Sequence, residues 1–301
     1  MTERPTEEPY VGEHVSIQAA SRLLDVPSPT IRSWERRYGV PDTPRSSGGH
    51  RRFSPEELKA LRQMRDEIAR GRRAADAAAI VKATSQNPSP QQPLIDDFLQ
   101  AAYRLEPRNI DALLDHAEKH LGVDNAICDV LLPAMRQIGY WWESGRCDVV
   151  HEHVATEAVR AWLNRLLYLG PSPWRPETLI LSCGPRDLHT LGLESMGVLL
   201  ARRGWGCRML GARTPVRSLA MAVQGTGASG VLLVSHLGSG RRSAIDALRA
   251  VQSTRAAVFY AGNTFLAPRS RVGVPGTYLE GTLSDAAATI TEILESRRLV
   301  T

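Results

Sequence analysis

Residues 178–192 read TLILSC-GPRDLHTLG, a short apolar run that ends in a polar loop and opens a helix-periodic stretch at about residue 192. The run shows no strict alternation of polar and apolar side chains, as expected for a strand covered on both faces. CRML at 207–210, GVLLVSH at 230–236 and AVFYAG at 257–262 are runs of the same kind. Helical stretches at about 192–203, 215–224, 240–253 and 284–297 alternate with them. Residues 172–301 are therefore predicted to form a doubly wound, Rossmann-like (flavodoxin-like) parallel sheet. Ligands of such sheets sit at the carboxyl ends of the strands. The loop with Asp187, His189 and Gly192 falls at one such end, Ser235 and Leu237 at a second, and Gly262 at a third.

Upstream the period changes. Helical patterns cover about 94–104, 107–121, 123–143 and 148–169, and their short connections predict an antiparallel four-helix bundle over 94–171. Trp142 ends the third helix, and Glu152-His153 follows after nine residues at the start of the fourth. Pro171, Pro173 and Pro176 mark the boundary with the sheet domain. On the other side TSQNPSPQQP, residues 84–93, lacks apolar periodicity and is predicted to be a linker.

Residues 13–83 carry the densest positive charge. Ser16 is the predicted N-cap of a helix, Val26-Pro27 breaks it, and Ser28 is the predicted N-cap of a second, with Pro29 at its first position. Ile31 and Trp34 face inward, whereas Thr30, Arg32, Ser33, Arg36 and Arg37 lie on or near the outer surface. Then comes TPRSSGGHRRF at 43–53, a Gly-Gly turn flanked by Arg45, His50, Arg51 and Arg52. Ser54-Pro55-Glu56-Glu57 supplies a capping box for a third helix, to about Ala69. Two helices, a tight break and a basic hairpin predict a winged helix-turn-helix, with the second helix facing a DNA groove and the wing on phosphates.

Composition narrows the remaining classes. Hydrophobic content of 43% and charged content of 23% are ordinary for a globular protein, and 6% aromatics disfavours an all-β sandwich. The net charge of +5 suits an anionic partner. Four cysteines without metal-ligand spacing, an acidic start (residues 1–12, a predicted disordered tail) and no long apolar run predict a reduced, cytoplasmic protein without a membrane span.

IRSWERRYGV and PRSSGGHRRFSPEEL resemble the MerR family, which implies dimeric binding to double-stranded promoter DNA. The long dimerising coiled coil of ordinary MerR proteins does not follow, so pairing of the heads is expected from the C-terminal half. Asp187, His189 and Gly192, spaced D-x-H-x-x-G, with Ser235, Leu237 and Gly262, resemble the cobalamin-binding domain of methionine synthase and the B12-dependent mutases. That resemblance implies His189 as the lower axial ligand of cobalt and Asp187 as acceptor of its other N–H. It further implies Gly192 as clearance for the cofactor's tail, Ser235 and Leu237 as lining, and Gly262 as a point of close approach. Ala261-Gly262 stands where that family usually has Gly-Gly. Trp142 with Glu152-His153 resembles the W-x9-E-H motif of the CarH/LitR photoreceptors, implying that these residues cover the upper face of adenosylcobalamin. Glu143 departs from relatives that carry His after the Trp, which leaves open the upper ligand after illumination. Taken together the resemblances imply a light-sensing repressor that binds DNA as a dark tetramer and releases it as a smaller species in light, acting on light-protection genes such as those for carotenoids. A light-independent B12- or redox-sensing regulator is the alternative. A methyl-transferring enzyme is disfavoured, because no residues remain for a second substrate domain.

Overall fold

A computed structural model describes residues 14–41, 52–86 and 89–298. The expected tail at 1–12 and the wing residues Arg45, His50 and Arg51 lie outside the described residues. The chain divides into two compact units, Met1–Arg104 with Ala134–His153, and Leu105–Pro133 with Val154–Thr301. No helix among the described residues is long and apolar enough to cross a membrane.

The first unit opens with β1 (Val15–Ser16), paired antiparallel to β2 (Arg52–Phe53). Ser16 caps α1 (Ile17–Leu24), its hydroxyl accepting from Ala19 N at 3.2 Å. The second helix, α2 (Ser28–Tyr38), begins one residue earlier than expected. The carbonyl of Pro27 accepts from Thr30 N and Ile31 N, so Pro27 is the N-cap and Ser28 already lies in the helix, without a capping side-chain bond. α3 (Pro55–Ala69) has the reciprocal capping box, with Glu57 N on Ser54 Oγ at 3.2 Å and Ser54 N on Glu57 Oε2 at 2.6 Å.

A fourth helix, α4 (Ala74–Gln86), was not expected from the sequence. Its Ala77, Ala78 and Val81 join Ile31, Trp34, Phe53 and Leu61 in one buried core. Alanine is the best helix former but gives a weak apolar stripe, so a search for periodicity passes over this segment. The predicted linker is accordingly shorter than 84–93, since residues 84–86 close α4 and α5 (Gln92–Tyr103) starts before 94. This unit also holds most of α8 (Leu132–Glu143) and the first turn of α9 (Val149–Tyr168).

The second unit contains α6 (Pro107–Leu121), α7 (Val123–Asn125) and a π-helical turn at Ala126–Leu131 that leads into α8. Pro133, which has no N–H for the ladder, follows two residues after this widened turn, in which Leu132 N bonds Ile127 O. Trp162 of α9 is fully buried and donates its indole N–H to Asp115 of α6 at 2.9 Å. The helices within 94–171 are thus those read from the sequence, shared between the two units.

Five parallel strands complete the second unit: β3 (Thr178–Cys183), β4 (Gly206–Gly211), β5 (Gly230–Val234), β6 (Ala257–Ala261) and β7 (Thr277–Tyr278), in the order β4-β3-β5-β6-β7. The two-residue β7 is too short for a periodicity signal. Helices α10 (Leu191–Arg202), α11 (Val216–Thr226), α12 (Arg241–Gln252) and α13 (Leu283–Arg298) lie between and after the strands. β5 is buried throughout and β3 nearly so, while the edge strand β4 alternates. Strand order reverses between β3 and β5, and that switch point is where doubly wound sheets open a crevice for ligands.

Candidate functional site

Two loops face each other across this switch point. One leaves β3 through Gly184, whose N–H donates to Val234 O at 2.8 Å, and turns back so that Asp187 N bonds Gly184 O. The other leaves β5 with Ser235, His236 and Leu237. The Asp187 side chain is buried between them. Its Oδ1 accepts from His189 N at 2.9 Å and from His189 Nδ1 at 2.8 Å. Its Oδ2 accepts from His236 N and from His236 Nδ1, the latter at 3.2 Å.

Burial alone would raise the Asp187 pKa; the four hydrogen bonds from His189 and His236 outweigh it and hold the carboxyl well below the usual carboxylate range. An ionised carboxylate only accepts, so both rings carry their proton on Nδ1. Any coordination by His189 would therefore use Nε2, on a side chain that is 59% exposed. Among the described residues Asp187, His189 and His236 form a cluster of potential metal ligands, with ligand atoms within 4.8 Å of one another. His236 was not expected from the sequence: it lies 49 positions from Asp187, and only the pairing of β3 with β5 brings the two together.

The residues named for the cofactor's tail separate into open and closed positions. A side chain added at Gly192 would meet nothing within 4 Å. Leu237 is exposed at the mouth of the crevice. Ser235 is buried, and its hydroxyl lies 3.1 Å from Thr264 Oγ1, a partner the sequence did not suggest. At Gly262 the close approach is made by the chain itself. Its φ is +102°, and an added Cβ would stand 2.2 Å from Ser235 O, so glycine is required there by the fold. An imidazole oriented by a buried carboxylate, followed three residues on by the open position Gly192, fits axial ligation of a corrinoid.

The second expected constellation lies in the first unit. Trp142, at the end of α8, is 51% exposed. Glu152 and His153 lie in the first turns of α9, with Glu152 Oε2 and His153 Nε2 3.7 Å apart. Between the helices, Tyr103, Gly145, Arg146, Cys147, Asp148 and His151 line an open hollow of about 390 Å³, where the Tyr103 and His151 rings stack at 5.4 Å. Glu143, next to Trp142, is engaged by the head. Its carboxylate lies 3.2 Å from the guanidinium of Arg62 in α3, which also sits 4.3 Å over the Tyr140 ring. Burial pulls the Arg62 pKa below its ordinary value despite the attraction of Glu143.

On α2, Arg32, Arg36 and Arg37 are exposed and Thr30 and Ser33 half-buried, opposite the buried Ile31 and Trp34. Arg52 of β2 is exposed as well. The described part of the head thus presents a basic surface on its second helix and at Arg52 of β2.

Known proteins match the head and the helices that follow it. A family model for a MerR HTH family regulatory protein matches residues 15–84, and one for a B12 binding domain matches residues 94–167. The HTH-type transcriptional repressor CarA of Myxococcus xanthus is 36% identical over 208 residues, covering 67% of this chain and 70% of CarA. The repressor CarH of the same organism is 29% identical, covering 69% of this chain and 74% of CarH. In fold, the monomethylamine corrinoid protein of Methanosarcina barkeri is similar at a TM-score of 0.56 and 14% identity, over 67% of this chain and 99% of that one. With a helix-turn-helix head and the Asp187-His189 loop on one chain, this protein belongs to the CarA/CarH family of B12-binding, MerR-type transcriptional regulators.

Proposed function

We propose that this regulator is a light-responsive repressor that uses adenosylcobalamin as its sensor, with functional segments at 13–83 (DNA), 94–171 (upper cover) and 172–301 (lower cradle). The observation that carries the reading is the Asp187–His189 pair at 2.8 Å, on the switch-point crevice of a chain that also bears a DNA-binding head. In this reading His189 Nε2 would hold cobalt and Asp187 would fix its tautomer. Gly192, Ser235, Leu237 and Gly262 shape the cradle of the tail. Trp142 would cover the bound cofactor, with Glu152 and His153 as its polar neighbours. When bound, adenosylcobalamin supplies a cobalt–carbon bond that light breaks.

The chain's response runs from Trp142 through α8. Glu143 on that helix pairs with Arg62 of the head, so a displacement of α8 reaches the DNA-reading unit. Several heads held together in the dark bind one operator far more tightly than a single head. Separation into smaller species in light lowers that avidity and frees the promoter. The protein acts as a regulator and carries out no turnover of its own.

The test is purification with adenosylcobalamin in darkness, followed by absorption spectra, sizing and operator binding before and after illumination. A larger dark species that shrinks and releases DNA in light is the expected result. Identical elution in both states overturns light sensing in favour of a B12- or redox-responsive regulator. An unchanged cobalt spectrum in His189→Ala overturns the ligand assignment.

A further inference from the structure

We propose that His236 sets how strongly His189 donates to cobalt, by sharing the Asp187 carboxylate with it; the inference rests on the corrinoid reading of this site. Each oxygen of Asp187 serves one histidine, Oδ1 the backbone and ring of His189, Oδ2 the backbone and ring of His236. The two rings lie 5.3 Å apart and inclined by 56°, so they are side by side rather than stacked. The carboxylate is buried, so its charge is divided between the two ring N–H donors with little help from water.

That division has a consequence for His189. A carboxylate that accepts from the far side of an imidazole pushes electron density toward the coordinating nitrogen, and any competing donor weakens the push. His236 is such a competitor. The backbone N–H of the same residue also holds Oδ2, so loss of the ring leaves the carboxylate anchored. What changes is the share of charge that reaches His189. His236 therefore acts through Asp187 as a positioning residue and keeps the axial bond weaker than an Asp–His pair alone would make it.

The experiment uses the full chain loaded with hydroxocobalamin and reduced to the Co(II) state. The paramagnetic resonance spectrum shows nitrogen splitting from the axial imidazole, and titration gives the midpoint potential of the Co(II)/Co(I) couple. His236→Leu should keep the splitting and shift the potential to more negative values, because a stronger axial donor disfavours Co(I). His236→Asn, whose side-chain N–H can replace the Nδ1 donor, should restore the wild-type potential. A Leu variant at the wild-type potential overturns the proposal, as does an Asn variant displaced as far as Leu, which would mean packing rather than the shared hydrogen bond. Wild-type protein without splitting, or splitting that survives His189→Ala, overturns the corrinoid reading and this inference with it.

Discussion

Substituting Glu143 isolates the contact between the DNA head and the helix that bears Trp142. The Arg62 side chain is only 3% exposed, whereas Glu143 is 48% exposed, so one end of the pair is dry and the other is wet. Cutting a fully buried pair costs about 3–5 kcal/mol, because the remaining charge is stranded. Here water reaches the carboxylate. At an effective dielectric constant of about 40 and a charge separation of about 4 Å, the attraction is about 2 kcal/mol. The Tyr140 ring under Arg62 remains in the variant and retains part of the stabilisation. Glu143→Gln should therefore destabilise the first unit by about 1–2 kcal/mol. Arg62→Met should cost less, because it also removes a buried cation whose Nε has no hydrogen-bond partner among the described residues. The pair of changes should then cost no more than Arg62→Met, a coupling of about 1–2 kcal/mol. Urea unfolding followed by tryptophan fluorescence, to which Trp34, Trp141 and Trp142 of the first unit contribute, measures all four proteins, and the coupling should shrink in high salt. A coupling below about 0.5 kcal/mol would refute the reasoning, since that is the scale of an exposed pair.

Gly262→Ala should lower stability by about 3 kcal/mol or more, from the Cβ forced against Ser235 O and a φ of +102°. Gly192→Ala should leave the melting temperature unchanged while weakening hydroxocobalamin binding; equal melting losses in the two variants would count against the assigned clearance. Arg36→Ala should weaken binding to duplex DNA and reduce the slope of log affinity against log salt by about one. An unchanged slope would remove this side chain from the interface. Burial pushes the Cys207 thiol up to about 12, so alkylation at pH 8.5 should be slow until the protein is unfolded. The raised thiol pKa also means that its contribution to stability is present below the unfolded value of about 9 and is lost as pH climbs toward 12, which alkaline melts would show.

Local chemistry was enough for most of the elements. Ser16 and the Ser54–Glu57 box mark helix starts because the groups that satisfy one another are three residues apart. The runs at 178–183 and 230–234 read as covered strands because β3 and β5 are buried by neighbours on both sides. Asp187 and His189 were legible as a pair because donor and acceptor lie only two positions apart along the chain. Where the signal was weak or misleading, the physics was local too: the small side chains of α4 hid its inner face, and Pro27 took the capping position that Ser28 was expected to fill.

Tertiary structure decided whatever depends on residues far apart in the chain. The order β4-β3-β5-β6-β7 set the switch point, and no stretch of sequence specifies which strand lies beside which. That pairing brings His236 onto Asp187, and folding of the first unit brings Arg62 onto Glu143, 81 positions later. Neither contact leaves a periodic trace, because hydrogen bonds and ion pairs respond to distance in space, while motifs and periodicity record distance along the chain.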